Sequence, residues 1–191
     1  MRKLVFDIET KNIFSDVGSS NPADLDISVV GVYDYENDTY KAYVESEFKD
    51  LWRVIENSDL LIGYNSDHFD IPLLNKYYPG DLKKIKSLDL LAEIRKSLGR
   101  RIKLDEIAEA TLGKNKSAHV LEATVWWKNG EFEKVKKYCL DDVKITKDVY
   151  EYALKNSKLM YKNGGKLMEI KIDTSSWEKD DGKKITHTLP F

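Results

Sequence analysis

Runs of apolar residues near the N-terminus predict four β-strands. The first covers residues 3–9 (KLVFDIE), and a short apolar strand is predicted at 59–65 (DLLIGYN). Between them, SVVGVYDY at 28–35 and TYKAYVE at 39–45 are separated by turn-forming residues, which indicates a hairpin. Residues 11–27 contain Gly, Ser, Asn and Pro and predict an irregular connection.

Helical spacing of apolar residues marks six further segments. EFKDLWRVIENS at 47–58 places its apolar side chains on one face, and DIPLLNKYY at 70–78 has proline near its start, where a helix tolerates it. Strands followed by strands mixed with helices predict an α/β fold with a mixed sheet. The other four predicted helices, of which the last is the longest, cover 88–99, 103–113, 121–130 and 130–156.

The pattern changes again in the last part of the chain. Residues 159–191 are rich in turn-forming residues, and Leu167, Glu169 and Lys171 alternate in the manner of a strand. This segment predicts a small β-hairpin packed on the same domain, or a loosely packed tail. Residues 1–158 form the main domain in this interpretation, and the sequence shows no internal repeat.

The composition is that of an ordinary soluble protein. Hydrophobic residues make up 41% and charged residues 34% of the 191 positions, and no run approaches the roughly 20 apolar residues that span a bilayer. The N-terminus meets acidic residues too soon for a signal peptide. The single cysteine, Cys139, excludes an internal disulfide and suggests a reducing compartment. We therefore expect a cytoplasmic protein without a membrane segment.

The net charge of −2 bears on nucleic-acid binding. A protein that coats a duplex non-specifically is usually clearly basic, because its affinity comes from Lys and Arg that neutralise phosphates. Balanced charge is compatible with a local basic groove beside an acidic metal site. Two basic clusters, KKIK at 83–86 and GRRIK at 99–103, would either contact phosphates or form solvated surface.

Two acids interrupt the first predicted strand. Asp7 and Glu9 are two residues apart, so their side chains point to the same face of the strand. Two like charges side by side on a largely apolar strand repel each other and resist desolvation. Such an arrangement indicates a function that outweighs this cost.

A third acid lies within the apolar face of the longest predicted helix. At 100° per residue, Asp142 lies at the centre of an apolar stripe, and Tyr138 precedes it by one turn. A core tyrosine and an aspartate paired with Lys144 would be the purely structural interpretation. The other members of the stripe are Val135, Cys139, Thr146, Val149 and Ala153.

A fourth acid follows the short strand. In GYNSDHFDIPLL, at 63–74, Asp70 precedes a predicted helix with proline just inside it. Helix capping explains Asp70 by itself, but it leaves Asn65 and Phe69 unexplained. Four carboxylates that converge without basic partners would not all stay ionised. Oxygen-only ligation suits Mg²⁺ or Mn²⁺ rather than Zn²⁺, so the four acids together predict a divalent-metal site.

Three segments, FDIET, GYNSDHFDIPLL and YCLDD, resemble the three motifs of the DEDD 3′–5′ exonucleases, a family of the ribonuclease H-like superfamily. Their order and spacing match over about residues 1–155. The second segment is most similar to the proofreading domain of family B DNA polymerases. Because the sequence contains no polymerase domain, stand-alone exonucleases related to that domain are the better match. Tyr138 and Asp142 form the Y-x-x-x-D pattern of the tyrosine branch, and Lys137 does not fit the histidine branch.

The resemblance implies an α/β fold of the ribonuclease H-like type, with a mixed central sheet flanked by helices. It implies that single-stranded DNA is hydrolysed from its 3′ end with release of nucleoside 5′-monophosphates. Two divalent ions, Mg²⁺ or Mn²⁺, would serve as cofactors, and Tyr138 would orient the attacking water. The metal ligands implied by the resemblance are Asp7, Glu9, Asp70 and Asp142.

Residues beside the motifs are candidates for substrate binding. Thr10 would contact the 3′ end, Asn65 a sugar or phosphate, and Phe69 the terminal base by stacking. Asn65 as a loop residue and Phe69 as a core residue are the structural alternatives. Leu73 and Leu74 are candidates for a wedge between bases, although core packing is the simpler interpretation.

Other aromatic and histidine residues give weaker indications. Trp126 and Trp127 offer a stacking platform, or one of them is a core anchor. His68 lies near the second motif but not at the histidine position of the family, and we interpret it as a loop residue. His119 and His187 have no supporting context.

Other functions stay open at this point. An exoribonuclease would use the same acids, since the choice of sugar depends on how the 2′-OH is accommodated, and the similarity to a proofreading domain favours DNA. A non-catalytic binding module would be expected to lack a metal ligand, whereas all five motif residues are present. A third alternative treats the four acids as solvated caps and surface charges. A helicase or polymerase is a candidate partner, because small size and balanced charge suggest weak affinity for nucleic acid alone.

Overall fold

The computed structural model describes residues 1–113 and 120–179, except the side chains of 120 and 121. His119, His187 and the end of the predicted tail lie outside these ranges. Five strands form one sheet in the order β3-β2-β1-β4-β5, and two more form a separate hairpin. The strands are β1 (Lys3–Thr10), β2 (Ile27–Asp34), β3 (Thr39–Tyr43), β4 (Leu60–Gly63), β5 (Lys86–Asp89), β6 (Lys158–Asn163) and β7 (Lys166–Lys171).

Seven α-helices accompany the strands in the described residues, and none of them is long and apolar enough to cross a membrane. Short 3₁₀ turns precede β2, α2 and β5. The helices are α1 (Phe14–Val17), α2 (Phe48–Glu56), α3 (Asp70–Asn75), α4 (Leu90–Leu98), α5 (Leu104–Leu112), α6 (Val120–Lys128) and α7 (Phe132–Asn156).

Strand β1 lies at the centre of the sheet. It pairs antiparallel with β2, where Asp7 lies opposite Gly31, and parallel with β4, where Val5 lies opposite Ile62. β2 and β3 form an antiparallel hairpin, and β5 continues the parallel part beside β4. The sheet is therefore mixed, which confirms the predicted α/β class. The carboxyl ends of β1, β4 and β5 meet at one edge, where open α/β sheets generally place their sites.

The two faces of the sheet carry separate hydrophobic cores. Side chains alternate along β1, so Phe6 joins the core beneath α2 and α3, whereas Val5 joins the core that includes α5, α7 and the β6–β7 hairpin. Asp7 and Glu9 share the face of Val5 by the same alternation. Both acids of the first strand therefore point towards the side of the sheet that α7 covers.

Helix α7 crosses β1 and β2 at close range because of a glycine in β2. A Cβ atom on Gly31 would lie 2.8 Å from Sγ of Cys139 and 3.0 Å from Cγ2 of Val143. A larger residue at this position would push the helix away from the sheet. The stripe predicted for this helix is buried at each of its positions, Val135, Cys139, Asp142, Thr146, Val149 and Ala153.

The described part of the C-terminal segment packs against the main body of the protein. The N–H of Ile172 donates a 3.0 Å hydrogen bond to the carbonyl oxygen of Ser157. The ring of Trp177 stacks on that of Tyr150 with centroids 5.7 Å apart. Buried side chains of β6 and β7 join the same core as α5 and α7. Residues 158–179 thus share a core with the long helix.

The predicted bounds of two helices differ from those in the structure. The sequence predicts a helix over 88–99, but Lys86–Asp89 pairs with β4 as the edge strand β5, and the helix begins at Leu90. A strand of four residues is too short to show a period of two, and its neighbours have helical spacing. The prediction for 70–78 is too long, since α3 ends at Asn75.

Candidate active site

Three carboxylates meet near the end of β1. Asp7, Glu9 and Asp142 each place one carboxylate oxygen within 4.8 Å of the others. Glu9 and Asp142 are each only 6% exposed, and Asp7 is half-buried. The strand supplies two of the acids and α7 the third. The structure therefore brings together three of the four acids that the sequence predicts to share a site.

The contacts of Cys139 show how closely α7 packs against β1. Its Sγ lies 3.4 Å from the carbonyl oxygen of Asp7 and 3.8 Å from Asp7 Oδ2. Burial, and then the negative charges of Asp7, Glu9 and Asp142, raise the pKa of the Cys139 thiol well above its ordinary value. The protonated thiol donates to the carbonyl oxygen of Asp7, which ties α7 to β1 beside the acids.

Tyr138 lies one helical turn before Asp142, on the adjacent part of the same face of α7. It is 5% exposed, and its ring packs edge-on against Trp126 of α6 with centroids 5.9 Å apart. Helix α6 also contacts β1, where the hydroxyl of Thr124 lies 3.5 Å from the carbonyl oxygen of Thr10. Packing on both α7 and β1 thus places α6 beside the acidic cluster.

Asp70 approaches β1 from a different element. It is the first residue of α3, and its carboxylate accepts a hydrogen bond from the N–H of Ile8, the residue between Asp7 and Glu9. It adjoins the cluster but is not among the three acids of the described chain whose oxygens meet within 4.8 Å. Burial, and then the charge of Asp89, raise the pKa of Asp70.

The capping interpretation of Asp70 is wrong. Phe69 occupies the N-cap position of α3, and no side-chain hydrogen bond caps this helix. The carboxylate of Asp70 interacts with its own backbone N–H and with the N–H of Ile8 in β1. It therefore links the start of α3 to the first strand.

The loop between β4 and α3 turns sharply at its start. A Cβ atom on Gly63 would lie 2.5 Å from Cβ of Ser66, so this turn requires glycine. Asn65 adopts the left-handed region with φ of 64°, which Asn tolerates better than most residues. The N–H of Phe69 donates a 3.0 Å hydrogen bond to the carbonyl oxygen of Asn65. This winding brings Asp70 back towards β1.

Asp89 holds this loop in place, a role that the sequence does not predict. Its Oδ1 accepts a hydrogen bond from the N–H of Asn65 at 2.7 Å, and its Oδ2 accepts from the N–H of Asp67 at 3.2 Å. Oδ1 also caps α4 by accepting from Leu91 and Ala92. Burial raises the pKa of Asp89, although these N–H groups act in the opposite direction. An aspartate before an apolar helical run indicates the cap, but not the contact with a loop 24 residues away.

The side chain of Asn65 contacts one of the two basic clusters. Its Oδ1 accepts a hydrogen bond from Nη2 of Arg101 at 2.5 Å. Arg101 belongs to the 99–103 segment, which joins α4 to α5. The hydroxyl of Tyr64 donates to the carbonyl oxygen of Ile102 at 2.7 Å. Two contacts therefore fix this basic segment against the end of β4.

Phe69 lies directly before α3, and Thr10 is the last residue of β1. Phe69 is half-buried and meets Phe14 edge-on, with ring centroids 6.1 Å apart. Phe14 is 38% exposed. It lies in the connection predicted to be irregular, so the sequence does not indicate it as a site residue. The hydroxyl of Thr10 donates to the carbonyl oxygen of Asn12 at 2.7 Å. Phe14 and Phe69 therefore form an accessible aromatic pair next to the start of α3, where Asp70 lies.

The remaining candidates lie in the core or on other surfaces. Leu73 and Leu74 are fully buried, so the wedge interpretation is wrong and both belong to the core. His68 is exposed in the loop, and Trp127 packs on a phenylalanine of α7. The basic cluster at 83–86 lines a cavity of about 430 Å³ whose other walls are Asp67, Ile71 and Ser87.

Comparisons with known proteins agree with this architecture. A family model of the RNase H superfamily matches residues 4–154, and the chain belongs to this superfamily. The family B DNA polymerase from the hyperthermophilic archaeon Pyrobaculum calidifontis has a similar fold, with a TM-score of 0.61 and 20% sequence identity. The similarity covers 81% of this chain and 24% of the polymerase, so this chain spans about a quarter of that protein's length. No curated protein matches the sequence.

The donor atoms of the acidic cluster fit a divalent metal ion. RNase H-like nucleases use divalent metals, and here three carboxylates from β1 and α7 offer oxygen atoms within 4.8 Å of one another. Hard oxygen donors of this kind suit hard divalent cations, whereas zinc favours thiolate and imidazole ligands. The Sγ of the neighbouring Cys139 lies 3.4 Å from the carbonyl oxygen of Asp7 and is not among the ligand atoms that meet in the cluster.

Proposed function

We propose that this protein is a metal-dependent 3′–5′ exonuclease. It hydrolyses phosphodiester bonds at the 3′ end of single-stranded DNA and releases nucleoside 5′-monophosphates. The observation that carries the proposal is the meeting of Asp7, Glu9 and Asp142, with Tyr138 one turn from Asp142, in a fold of the RNase H superfamily. The resemblance of three motifs to family B proofreading domains supports the 3′–5′ polarity and the preference for DNA.

Two divalent ions, Mg²⁺ or Mn²⁺, are the proposed cofactors. Asp7 and Asp142, helped by Glu9, would hold one ion, and Asp7 would be the main ligand of the second. Asp70 would act through water molecules, which agrees with its position beside the cluster rather than within it. When bound, such ions lower the pKa of water and neutralise charge on the phosphate.

The chain's own residues would position the reacting groups. The hydroxyl of Tyr138 orients a water molecule for in-line attack on phosphorus. The bond between phosphorus and the leaving 3′-oxygen breaks, the proton of the attacking water passes to solvent, and the leaving oxygen takes up a proton. Such a direct displacement forms no covalent intermediate with the protein. Burial of Glu9, Tyr138 and Asp142 holds these side chains in place, which catalysis by positioning requires.

The substrate is a single strand whose 3′ end reaches the acids. Thr10 would contact the terminal sugar, and Asn65 a phosphate. Phe69, together with Phe14, would stack on the unpaired terminal base, since base stacking on aromatic rings is tolerant of sequence. Residues 1–158 are the proposed catalytic domain, with 159–191 as its C-terminal extension. A helicase or polymerase that exposes single strands is a proposed partner.

The test uses a DNA oligonucleotide labelled at its 5′ end, with Mg²⁺, with Mn²⁺ and with chelator. We expect a ladder that shortens from the 3′ end with either metal, and no cleavage with chelator or with Asp7→Ala. A matched RNA strand measures the sugar preference, and DNA should be cleaved faster. Internal cleavage, activity in Asp7→Ala, or no cleavage of either strand would contradict the proposal.

A further inference from the structure

The segment 99–103 between α4 and α5 is held against the end of β4 at two points. The hydroxyl of Tyr64 donates to the carbonyl oxygen of Ile102 at 2.7 Å, and Nη2 of Arg101 donates to Oδ1 of Asn65 at 2.5 Å. A surface segment that is fixed in this way presents its side chains in a defined orientation. Arg101 is therefore a positioned cation rather than a free surface charge.

The two arginines of this segment have different surroundings. The guanidinium of Arg100 lies over the ring of Tyr161 in β6, 5.2 Å from its centroid. Arg101 contacts Asn65 in the second motif instead. Both side chains are exposed and each carries one positive charge. The structure thus supplies a matched pair of adjacent arginines, of which one contacts the second motif.

The contact between Asn65 and Arg101 determines which groups are offered to a ligand. Oδ1 of Asn65 accepts from Arg101, so the amide is oriented and its Nδ2 carries two N–H donors. In the described part of the chain this nitrogen makes no hydrogen bond. A guanidinium has five N–H donors and no acceptor, and the bond to Asn65 occupies one of them. The N–H donors of the pair therefore outnumber its one remaining acceptor site, the second lone pair of Asn65 Oδ1, and the pair carries one positive charge.

A phosphodiester is the part of a nucleic acid that matches such a surface. Its non-bridging oxygens accept hydrogen bonds and carry one negative charge, whereas base edges mix donors with acceptors. Arginine is favoured at such contacts because its planar fork matches the phosphate. Donors from an oriented amide and a guanidinium would hold the backbone without reading the base.

The loop after β4 places this pair beside Asp70. The N–H of Phe69 donates a 3.0 Å hydrogen bond to the carbonyl oxygen of Asn65, and Phe69 immediately precedes Asp70. The N–H of Ile8, the residue between Asp7 and Glu9, donates to the carboxylate of Asp70. Asn65 is therefore connected through this loop to the part of β1 that carries two of the acids.

We propose that Arg101 and Asn65 form a phosphodiester clamp that holds the DNA backbone next to the nucleotide being removed. The inference rests on the proposed function and adds the group of the substrate that this side of the site binds. A cation at this position also offsets the repulsion between the acids and the phosphates of an approaching strand. The clamp is independent of base identity, as an exonuclease that degrades any sequence requires.

The test compares Arg101→Gln with Arg100→Gln, which removes the same charge from the adjacent residue. We expect Arg101→Gln to raise KM for single-stranded DNA by roughly tenfold, the value of one charge-assisted hydrogen bond, with a much smaller change in kcat. The slope of log KM against log salt should fall by about 0.7, the value for one phosphate contact on a single strand. Arg100→Gln should leave both quantities near those of the wild type.

A neutral methylphosphonate linkage near the 3′ end supplies a second readout. It should weaken binding to the wild type at one position and cause no further loss in Arg101→Gln, because the contact is already absent. Equal KM and equal salt slope in the two arginine variants would overturn the clamp. A fall in kcat alone would also overturn it, since Arg101 would then only orient Asn65.

The same variants separate failure of the clamp from failure of the proposed function. If the wild type does not cleave DNA, fluorescence anisotropy with the same oligonucleotide measures binding directly. Weaker, less salt-dependent binding by Arg101→Gln would then support the clamp and reject the exonuclease. If the wild type cleaves DNA and the two arginine variants do not differ, the exonuclease is supported and the clamp is rejected.

Discussion

The carboxylate of Asp89, at the end of β5, accepts a 2.7 Å hydrogen bond from the N–H of Asn65, in the loop that follows β4. The same carboxylate accepts from Asp67 and caps α4. One buried side chain therefore ties the loop that leads to Asp70 to the start of a helix. This relationship makes Asp89 a positioning residue of the candidate active site, although it takes no part in the acidic cluster.

We expect Asp89→Asn to loosen the loop before α3. Asparagine has one carbonyl oxygen, so its amide nitrogen would face the N–H of either Asn65 or Asp67, two donors against each other. An unsatisfied buried donor costs about 1–3 kcal/mol. Urea unfolding should show a loss of this size, and cleavage should slow even at temperatures where the protein is folded.

Asp81→Asn is the control for this substitution. Asp81 is exposed and accepts a 3.1 Å hydrogen bond from the N–H of Lys83, so it caps a short turn away from the acidic cluster. The substitution Asp81→Asn should leave the rate of cleavage unchanged. Wild-type stability and activity in Asp89→Asn would show that the loop is held by other contacts.

Gly31→Ala should destabilise the protein by crowding α7. The new Cβ would lie 2.8 Å from Sγ of Cys139 and 3.0 Å from Val143, and such overpacking typically costs about 1–3 kcal/mol. The free energy of unfolding measured in urea should fall by this amount. Because α7 carries Asp142, cleavage should decline as well.

A second substitution tests the cause of this loss. Cys139→Ala removes the nearest atom, so Gly31→Ala should cost less in a Cys139→Ala background than in the wild type. An equal penalty in both backgrounds would place the strain elsewhere, and an unchanged stability of Gly31→Ala would contradict the close packing itself.

Tyr138→Phe should reduce kcat without unfolding the protein. The ring keeps its edge-on contact with Trp126, and only the hydroxyl that orients the water is lost. We expect a reduction of roughly ten- to a hundredfold, with metal dependence retained. This is at or below the lower limit of the contribution of a general acid or base, about 10²- to 10⁴-fold, because Tyr138 orients the water and does not take its proton. Tyr152→Phe, about 21 Å further along α7, is the matched control. Full activity in Tyr138→Phe would exclude a role for the hydroxyl.

Glu178 should make stability depend on pH in the acid range. Hydrogen bonds from Lys3 at 2.6 Å and from Tyr150 at 2.7 Å hold the pKa of Glu178 below its ordinary value of 4.5. A carboxyl with a lowered pKa in the folded state stabilises the protein above the unfolded pKa, and this stabilisation is lost as pH falls through the folded pKa. The wild type should therefore be more stable than Glu178→Gln at pH 7.

The difference in unfolding free energy between these two proteins should begin to shrink as pH falls through 4.5 and should approach zero once pH is below the lowered pKa of Glu178 in the folded state. Urea titrations at several pH values measure it, with Glu133→Gln as a control at a side chain that is 86% exposed. A constant difference across the acid range would show that Glu178 contributes through packing rather than through its charge.

The architecture was predictable because it rests on local periodicity. Continuous apolar runs gave β1 and β4, and the 3.6-residue period placed Asp142 among buried positions of α7. The two-residue spacing of Asp7 and Glu9 placed both on one face of β1. These are properties of neighbouring residues, which a single sequence contains in full.

The parts that were missed depend on contacts between distant residues. Asn65 and Arg101 are 36 positions apart, and the pairing of Lys86–Asp89 with β4 depends on how the chain returns to the sheet. The contact of the Asp70 carboxylate with the N–H of Ile8, 62 positions earlier in the chain, is likewise not visible in the sequence. Contacts of this kind depend on tertiary packing and not on the local secondary-structure propensity of the residues.

The most direct test of the account compares Asp142→Asn with Asp141→Asn, the buried acid with its exposed neighbour on the same helix. Mn²⁺ binding, followed by electron paramagnetic resonance, and cleavage of labelled single-stranded DNA are measured on the same preparations. Loss of an outer-shell partner typically lowers metal affinity or activity by 10–100-fold. We expect Asp142→Asn to lower both by about 100-fold or more, and Asp141→Asn to change neither. Equal Mn²⁺ binding and equal cleavage by the two variants would contradict the assignment of the acidic cluster as a metal-dependent nuclease site.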